Sequence, residues 1–153
     1  MQQVGGGNVI PFPERVNDFA FKIATPNGSG SASANGIIMQ TIFRMGVPVS
    51  GKNVFPSNIQ GLPTWYEIRV NKDGHTARTP DFDLLVALNP ATYAKDVAEV
   101  RTGGYLVHDS TWPLADALRR EDVTLLGIPL STLKTRVRDG VRALRCASLE
   151  LAT

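Results

Sequence analysis

The sequence predicts an α/β domain of three layers, with helices on both faces of a mixed, mostly parallel sheet. Predicted strands alternate with helical segments, and the strands at residues 83–88 and 123–128 are almost wholly apolar, as strands buried on both faces are. An Asp73-Gly74 turn after another strand predicts a hairpin, which makes the sheet mixed.

The first predicted unit is a strand, a Gly/Ser-rich loop and a helix. Residues 19–24 alternate between apolar and smaller or polar side chains, which predicts a strand, and residues 25–31 form the loop. Apolar residues then recur with helical spacing over residues 37–45, which predicts a helix with a wide apolar stripe. Gly46 is expected to end this helix, because glycine tolerates a positive φ.

Such a loop has a physical use, because the first N–H groups of a helix lack partners and attract phosphate. The spacing Gly28-x-Gly30-x5-Gly36 does not match the G-x-G-x-x-G dinucleotide fingerprint, and no P-loop ending follows. Two interpretations therefore stay open: a phosphate-binding loop, or a tight turn that binds nothing.

The next segment is predicted to be a short strand followed by a long polar loop. Residues 47–49 form the strand, which is expected to lie at an edge of the sheet or to be irregular, because Pro48 donates no hydrogen bond. Residues 50–63 form the loop, which its length marks as functional. The alternative is a surface crossover packed by Val54, Phe55 and Ile59.

The remaining elements follow in order. They are a strand at 64–70, a return strand at 75–78, a buried strand at 83–88, a helix at 91–100 with Pro90 in its first turn, a turn at Gly103-Gly104, a strand at 105–107, a short connection at 114–120 and a buried strand at 123–128. Residues 131–153 predict an amphipathic helix with a basic, solvated face, and nucleic-acid binding is the weaker interpretation because aromatic residues are absent there.

Length and composition narrow the class of protein. The 153 residues suit one domain, and the net charge of +2 implies no general binding of polyanions. A single cysteine, Cys146, excludes an internal disulfide and a cysteine-held cluster, so a cytoplasmic location is expected. No apolar run approaches the length that spans a bilayer, and residues 1–16 resemble a flexible lead-in rather than a signal peptide.

The sequence contains no convincing catalytic constellation or metal-ligand pattern. His108, Asp109 and Ser110 are adjacent on a predicted strand end, so their side chains point in different directions and cannot form a triad. Asp109 or Ser110 can instead line a cleft at the ligand edge of the sheet. Cys146 lacks an activating base and is expected to be inert, and Trp65 is expected to pack in the core or at a subunit interface.

Four segments carry a resemblance to a known family. They are ATPNGSGSASANG (24–36), FRMGVPV (43–49), GKNVFPSNIQGLPTWYEIRV (51–70) and LVALNPATYAKDV (85–97). Over residues 17–113 the sequence resembles the gamma domain of 2-oxoacid:ferredoxin oxidoreductases, in the form fused to the N-terminus of the alpha subunit of 2-oxoglutarate enzymes. The third segment is the most specific of the four.

The resemblance implies a Rossmann-like domain that helps to hold coenzyme A in an enzyme that converts a 2-oxoacid, here expected to be 2-oxoglutarate, to its acyl-CoA. Thiamine diphosphate, Mg and iron–sulfur clusters would lie in other domains or subunits. The domain would therefore not be catalytic alone. Its implied partners are alpha and beta subunits and, indirectly, ferredoxin, with no nucleic acid and no membrane.

The resemblance places coenzyme A between the Gly-rich loop and the polar loop. The implied binding residues are Asn27, Gly28, Ser29, Gly30, Ser31, Lys52, Asn53, Ser57, Asn58, Gln60 and Gly61. The first five would offer N–H and hydroxyl groups to phosphate, and Lys52 would add charge. Asn53 and Asn58 would add amide hydrogen bonds, although capping of the local backbone explains them equally well.

The resemblance divides the chain into a lead-in (1–16), a gamma domain (17–130) and a divergent helical tail (131–153). Full-length alpha subunits continue for several hundred residues, so the chain is expected to be either a split gamma subunit or a fragment. One competing function is a truncated, non-catalytic interaction module that binds no nucleotide. A free-standing nucleotide-binding oxidoreductase is disfavoured by the broken glycine fingerprint.

Overall fold

The computed structural model describes residues 16–29, 31–55 and 62–133. The described strands are β1 (Asp18–Pro26), β2 (Val49–Val54), β3 (Pro63–Asn71), β4 (Phe82–Ala87), β5 (Val100–Asp109) and β6 (Thr124–Ile128). The described α-helices are α1 (Ser31–Arg44) and α2 (Tyr93–Ala98), with short 3-10 helices at Pro90–Thr92 and Asp116–Leu118. None of the helices in these residues is long and apolar enough to cross a membrane.

The strands form one sheet in the order β2-β3-β1-β4-β5-β6. β1, β4, β5 and β6 pair in parallel, whereas β3 lies antiparallel between β2 and β1. Five of the six described strands therefore run in one direction, and the predicted mixed, mostly parallel sheet is confirmed.

Helices cover both faces of this sheet, which confirms the predicted three layers. On one face, α1 packs Met39 and Ile42 onto an apolar cluster centred on Phe21, Ile23, Ile68 and Val70. On the other face, α2 packs Tyr93 and Val97 onto Leu85, Ala87, Val100 and Leu106. Consecutive residues of β4 belong to opposite clusters, with Leu84 and Val86 on the α1 face and Leu85 and Ala87 on the α2 face, as the period of two in a strand requires.

Helix termini largely follow the sequence signals. α1 ends at Arg44, and Gly46 takes a positive φ of 79° just beyond it, as predicted. Asn89 accepts a hydrogen bond from Ala91 N–H, and Pro90 opens the following helical segment. The predicted helix at 91–100 is shorter than expected, because its first residues are 3-10 and the chain already enters β5 at Val100.

The predicted polar loop at 50–63 is partly wrong, because residues 50–54 belong to β2. The polar residues of this segment have low strand propensity, but Ser50 to Val54 align with Arg69 to Trp65 of β3 and complete its ladder. Of the strand predicted at 47–49, only Val49 belongs to β2, and the residues before it are irregular. The edge position is confirmed, since β2 is the outermost of the described strands on its side of the sheet. Gly51 suits this position: a Cβ atom there would lie 2.6 Å from the Met39 sulfur.

The predicted return strand at 75–78 is also wrong, since β3 already pairs with β1 on one side and β2 on the other. No edge of β3 is left for a further strand. The predicted turn does form: Gly74 has a φ of 83°, and the Asn71 side chain accepts hydrogen bonds from the N–H groups of Asp73 and His75. The antiparallel member of the sheet is β3 itself.

Two predictions about β5 and β6 need correction. Gly103 does not separate two elements but lies inside β5 with a φ of 77°, where the pairing with β4 shifts register. β6 was expected to be buried, but it is the last of the described strands at its edge of the sheet, and Leu126 and Ile128 are 43% and 38% exposed. A pair of glycines in the sequence does not show whether a strand ends there or continues through them. An apolar run does not show whether a strand lies in the centre or at the edge of the sheet.

The apolar stripe of α1 is only partly buried. Ile37 and Phe43 are 64% and 69% exposed, and Met45, just beyond the end of the helix, is 72% exposed. A stripe this wide exceeds what one face of the sheet covers, so α1 presents apolar side chains on its outer surface.

A cluster of charges is buried on the α2 face of the sheet. Lys22 of β1 is 3% exposed, and its Nζ lies 2.5 Å from a Glu99 carboxylate oxygen and 3.3 Å from one of Glu67. Arg78 donates two hydrogen bonds to Glu67, at 2.5 and 2.7 Å. Burial alone would raise the pKa of Glu67, but the Arg78 hydrogen bonds and the nearby Lys22 charge bring it below its usual value. The cluster therefore holds the Glu67 carboxylate ionised.

Replacing Lys22 should test how strongly the fold depends on this cluster. Lys22→Ala leaves Glu67 with only Arg78 and removes the closest partner of Glu99, so we expect the free energy of unfolding to fall by about 3 kcal/mol. Urea denaturation followed by circular dichroism measures this change. Lys72→Ala, at an exposed turn position, is the matched control, and an equal loss in both variants would contradict the assigned role.

Candidate functional site

The candidate site lies at the carboxyl ends of the parallel strands. From β1 the chain passes through α1 to β2 and β3 on one side, whereas β4, β5 and β6 follow on the other side. The sheet therefore has a topological switch point between β1 and β4, which is where open α/β sheets bind ligands. The Gly-rich loop joins the end of β1 to the start of α1 at this point.

Two cavities meet at the hydroxyl groups of Thr25 and Ser31, which lie 2.7 Å apart and line both. The first cavity has a volume of about 400 Å³ and extends towards the ends of β4 and β5. The second has a volume of about 300 Å³ and extends under α1 towards β2 and β3. The loop after β1 thus separates two spaces of different chemistry.

The 400 Å³ cavity contains a carboxylate. Its described lining residues are Thr25, Pro26, Ser29, Ser31, Leu88, Asp109, Leu130 and Ser131. The Asp109 side chain accepts hydrogen bonds from the N–H and hydroxyl groups of both Thr111 and Ser131. Burial opposes ionisation, but these four hydrogen bonds lower the pKa of Asp109 to about 2. The carboxylate also ties the chain after β6 to the end of β5.

The 300 Å³ cavity contains amides and hydroxyls but no charged group among its described residues. These are Thr25, Asn27, Gly28, Ser31, Ala32, Asn35, Asn53, Thr64 and Tyr66. Thr64 donates a hydrogen bond of 3.3 Å to the Asn53 side chain. Asn27 N–H donates to Leu62 C=O at 2.7 Å, which holds the start of the Gly-rich loop against the segment before β3.

The structure brings together some of the residues predicted for the site. Asn27, Gly28, Ser31 and Asn53 line the 300 Å³ cavity, and Ser29 lines the 400 Å³ cavity. The remaining predicted residues Gly30, Ser57, Asn58, Gln60 and Gly61 lie outside the described residues.

Lys52 lies apart from this group. It precedes Asn53 on β2, so the two side chains point to opposite faces of the sheet. Lys52 pairs across the ladder with Glu67 and lines a cavity of about 20 Å³, which has room for about one water molecule. The sequence shows both residues in one polar stretch, and only the strand conformation separates them.

Several lining residues were not singled out from the sequence. Thr25, Leu88, Asn35, Thr64 and Tyr66 belong to this group. Thr25 and Leu88 lie at the carboxyl ends of parallel strands, and that position is the signal that indicates them. Asn35, Thr64 and Tyr66 have no such local signal, because only the packing of α1 over β3 places them at the cavity.

The residues around His108 behave as expected from strand alternation. Asp109 lines the 400 Å³ cavity, whereas His108 contacts Tyr93 on the α2 face, with ring centroids 6.2 Å apart. The predicted packing role of Trp65 is confirmed: it is 7% exposed, and its ring N–H donates to Asp96 at 2.9 Å. Among residues 16–29, 31–55 and 62–133, no three His, Cys, Asp or Glu side chains are grouped as metal ligands.

Comparison with known proteins identifies the family. The model of the pyruvate ferredoxin/flavodoxin oxidoreductase family matches residues 20–148. The chain belongs to this family. The match starts within β1 and extends into the segment that was expected to be a divergent tail, so the domain bounds at 17, 130 and 131 stay predictions.

A curated relative of this chain is a subunit of a larger enzyme. Among curated proteins, the chain is 30% identical over 92 residues to the alpha subunit of 2-oxoacid:ferredoxin oxidoreductase 2 of Aeropyrum pernix, covering 60% of the chain and 14% of that protein. The chain therefore spans about one seventh of the length of this relative.

Three solved structures share the fold of this chain. A 2-oxoglutarate:ferredoxin oxidoreductase of Magnetococcus marinus, with 2-oxoglutarate, coenzyme A and succinyl-CoA bound, superposes with a TM-score of 0.70 at 23% identity over 81% of this chain and 22% of that chain. A gamma subunit of a keto/oxoacid ferredoxin oxidoreductase of Geobacter sulfurreducens gives 0.58 at 17% identity, over 72% of this chain and 61% of that chain. A pyruvate oxidoreductase subunit of Thermotoga maritima gives 0.55 at 16% identity, over 73% and 60%.

Stability at acid pH should depend on Asp109. Because the pKa of this carboxyl is lower in the folded protein than its ordinary value of 3.8, its ionisation stabilises the fold above about pH 4, and that contribution is lost as the pH falls towards 2. Asp109→Asn should therefore lower the free energy of unfolding by about 1 to 3 kcal/mol at pH 6 and by less at pH 3. Urea denaturation at the two pH values measures this difference.

Asp116→Asn is the control for that measurement, since the Asp116 side chain is 98% exposed. It should change stability little at either pH. An Asp109→Asn effect that is the same at pH 3 and pH 6 would show that the carboxylate charge is not what stabilises this end of β5.

Proposed function

We propose that the chain is the gamma component of a 2-oxoacid:ferredoxin oxidoreductase and binds coenzyme A at the loop after β1. The supporting observation is the 300 Å³ cavity at the carboxyl end of β1, lined by the Gly-rich loop and the first turns of α1, in a member of this oxidoreductase family. The proposed substrate is 2-oxoglutarate, and the proposed location is the cytoplasm.

The donor set at this cavity fits coenzyme A. Gly28 and Ser31 lie at the N-terminal end of α1, where free N–H groups and the helix dipole favour phosphate. Asn27, Asn53 and Thr64 add neutral donors and acceptors, which suit the amides and the adenosine of the molecule. When bound, coenzyme A accepts the acyl group that the oxidation of the 2-oxoacid produces.

The oxidative decarboxylation itself is assigned to partner subunits. Thiamine diphosphate, Mg and iron–sulfur clusters would be held by alpha and beta partners, with ferredoxin as the electron acceptor. The role proposed for this chain is to orient coenzyme A and to support assembly. The residues Gly30, Ser57, Asn58, Gln60 and Gly61 remain proposed contacts of the ligand.

Adjacent positions on β2 offer a matched test. Asn53→Ala removes an amide from the 300 Å³ cavity, so the KM for coenzyme A of the assembled enzyme should rise by about 5- to 10-fold with little change in kcat. Lys52→Ala changes the neighbouring residue on the other face of the sheet. The assay is the reduction of a viologen dye by the co-purified complex with 2-oxoglutarate, and with pyruvate as the competing substrate.

The two variants separate the possible outcomes. A raised KM for Asn53→Ala alone supports the cavity under α1 as the binding site. A raised KM for Lys52→Ala alone would instead support the charge contact expected from the sequence. An unchanged KM in both variants, or activity that does not require coenzyme A, would contradict the proposed site.

The outer surface of α1 supports the assembly role. Ile37, Phe43 and Met45 are each more than three-fifths exposed. Exposed apolar side chains grouped on a helix and just beyond its end are typical of surfaces that another protein covers. This chain spans only 14% of the Aeropyrum relative and 22% of the Magnetococcus relative. The remainder of such an enzyme is the proposed partner of this surface.

Introducing charge on α1 should weaken assembly. Phe43→Asp places a carboxylate on the apolar surface, so recovery of partner subunits with the tagged chain should fall at least several-fold. Ala77→Asp adds the same charge at an exposed position outside α1, and should leave recovery unchanged. Circular dichroism checks the fold, and equal recovery with both variants would contradict an interface at Phe43.

A further inference from the structure

Asn35 is a buried polar residue that the fold does not use. It lies in the second turn of α1, is 4% exposed, and lines the 300 Å³ cavity. None of the hydrogen bonds formed among residues 16–29, 31–55 and 62–133 involves its side chain. A carboxamide has two donors and an acceptor, and because Asn35 lines this cavity, a ligand bound there can satisfy them.

The local sequence makes this position more unusual. Asn35 is followed by Gly36, and both residues are poor helix formers in the interior of a helix. A Cβ atom at Gly36 would meet nothing within 4 Å, so close packing does not explain the glycine. Residues that break local rules without a structural gain are expected at functional sites.

The neighbours of Asn35 define the chemistry of its ligand. The described lining of the 300 Å³ cavity has no charged side chain, whereas the adjoining cavity contains the ionised Asp109 carboxylate, which disfavours an anion there. Asn53 already accepts a hydrogen bond from Thr64, so its amide is partly used by the protein. Asn35 is therefore the buried amide that is available to a neutral ligand group.

We propose that the Asn35 side chain hydrogen-bonds an uncharged, amide-like part of the bound ligand, a group that both donates and accepts hydrogen bonds. The identity of the whole ligand rests on the proposed coenzyme A function. Coenzyme A offers this chemistry in two places, the adenine ring and the amides of the pantetheine arm. Phosphate groups would stay at Gly28 and Ser31, at the start of α1, one turn before Asn35.

The test uses the full chain with its co-purified partners and three probes: coenzyme A, adenosine 3′,5′-bisphosphate and pantetheine. Asn35→Leu keeps the number and branching of the side-chain heavy atoms but removes the amide. Its affinity for coenzyme A should fall by about 3- to 10-fold by titration calorimetry. The fragment that contacts Asn35 should lose affinity by a similar factor, and the other fragment should bind as before.

A second readout concerns stability without ligand. Because Asn35→Leu replaces Asn by a better helix former in the interior of α1, the unliganded Tm should rise by about 1 to 2 °C. Gln40→Leu is the matched control, an exposed carboxamide on the same helix, and should leave affinity for all three probes unchanged. If Asn35→Leu does not fold, Asn35→Ala carries the same test.

The outcomes distinguish this inference from the proposed function. If the wild type binds coenzyme A and Asn35→Leu binds all three probes equally well, the role of Asn35 is overturned and the function stands. If the wild type binds a fragment in an Asn35-dependent manner but not coenzyme A, the role of Asn35 stands and the ligand was wrong. If the wild type binds none of the probes, both are overturned.

Discussion

The burial of the Lys22 charge constrains the register of the whole sheet. Its ammonium group lies in the central strand β1 and pairs with Glu67 of β3 and with Glu99 beyond α2. A shift of one residue in β1 would move this charge to the apolar face under α1, without either carboxylate. The cluster therefore fixes β1 against its neighbours, and this register sets where β1 ends and where the Gly-rich loop begins.

The same face of the sheet contains a second buried carboxylate. Asp96 of α2 is fully buried, and burial raises its pKa, although hydrogen bonds from Thr92 and Trp65 oppose this rise. Lys95 lies 3.9 Å from the centre of the Trp65 ring, and Lys22 lies 5.5 Å from it. Charged and aromatic groups thus hold α2 to the sheet. The opposite face of the sheet, under α1, has an apolar core. The polar groups at its carboxyl edge are therefore available to a ligand.

The two cavities at that edge differ because different strands supply their walls. β5 supplies Asp109, and the hydrogen bonds to its carboxylate use the chain after β6. β2 and β3 supply Asn53 and Thr64, which are neutral. The Asp109 carboxylate disfavours negative charge on one side of Ser31, whereas the N-terminus of α1 favours negative charge at Ser31 itself. A ligand with anionic and uncharged parts can therefore bind at this edge in a defined orientation.

The sequence predicted most elements of the fold, but not the order of the strands. The alternation in β1, the apolar runs in β4 and β6 and the glycine after α1 are local signals, and the structure contains all of these elements. Ser50 to Val54 were missed as a strand because pairing with β3, and not their own propensity, makes them extended. The exposure of β6 depends on its place at the edge, which no local pattern specifies.

Prediction of the site had the same limits. Asn27, Gly28 and Ser31 follow from the chain between β1 and α1, which is contiguous in sequence. Lys52 and Asn53 were indistinguishable as members of one polar stretch, and the alternation of β2 separates them. A buried amide on a helix gives no signal of its own in a single sequence, so Asn35 could be assigned only after α1 was packed over β3.

The exposed apolar surface of α1 links the site to assembly. Asn35 on the buried side of this helix lines the 300 Å³ cavity, while Ile37 and Phe43, within eight residues of it, are exposed on the outer side. A partner that packs on the outer side would restrict the movement of the helix whose first turns form the proposed phosphate site. Ordering that helix before the ligand arrives removes part of the entropic cost of binding. The proposed assembly role and the proposed coenzyme A role would thus be coupled through α1.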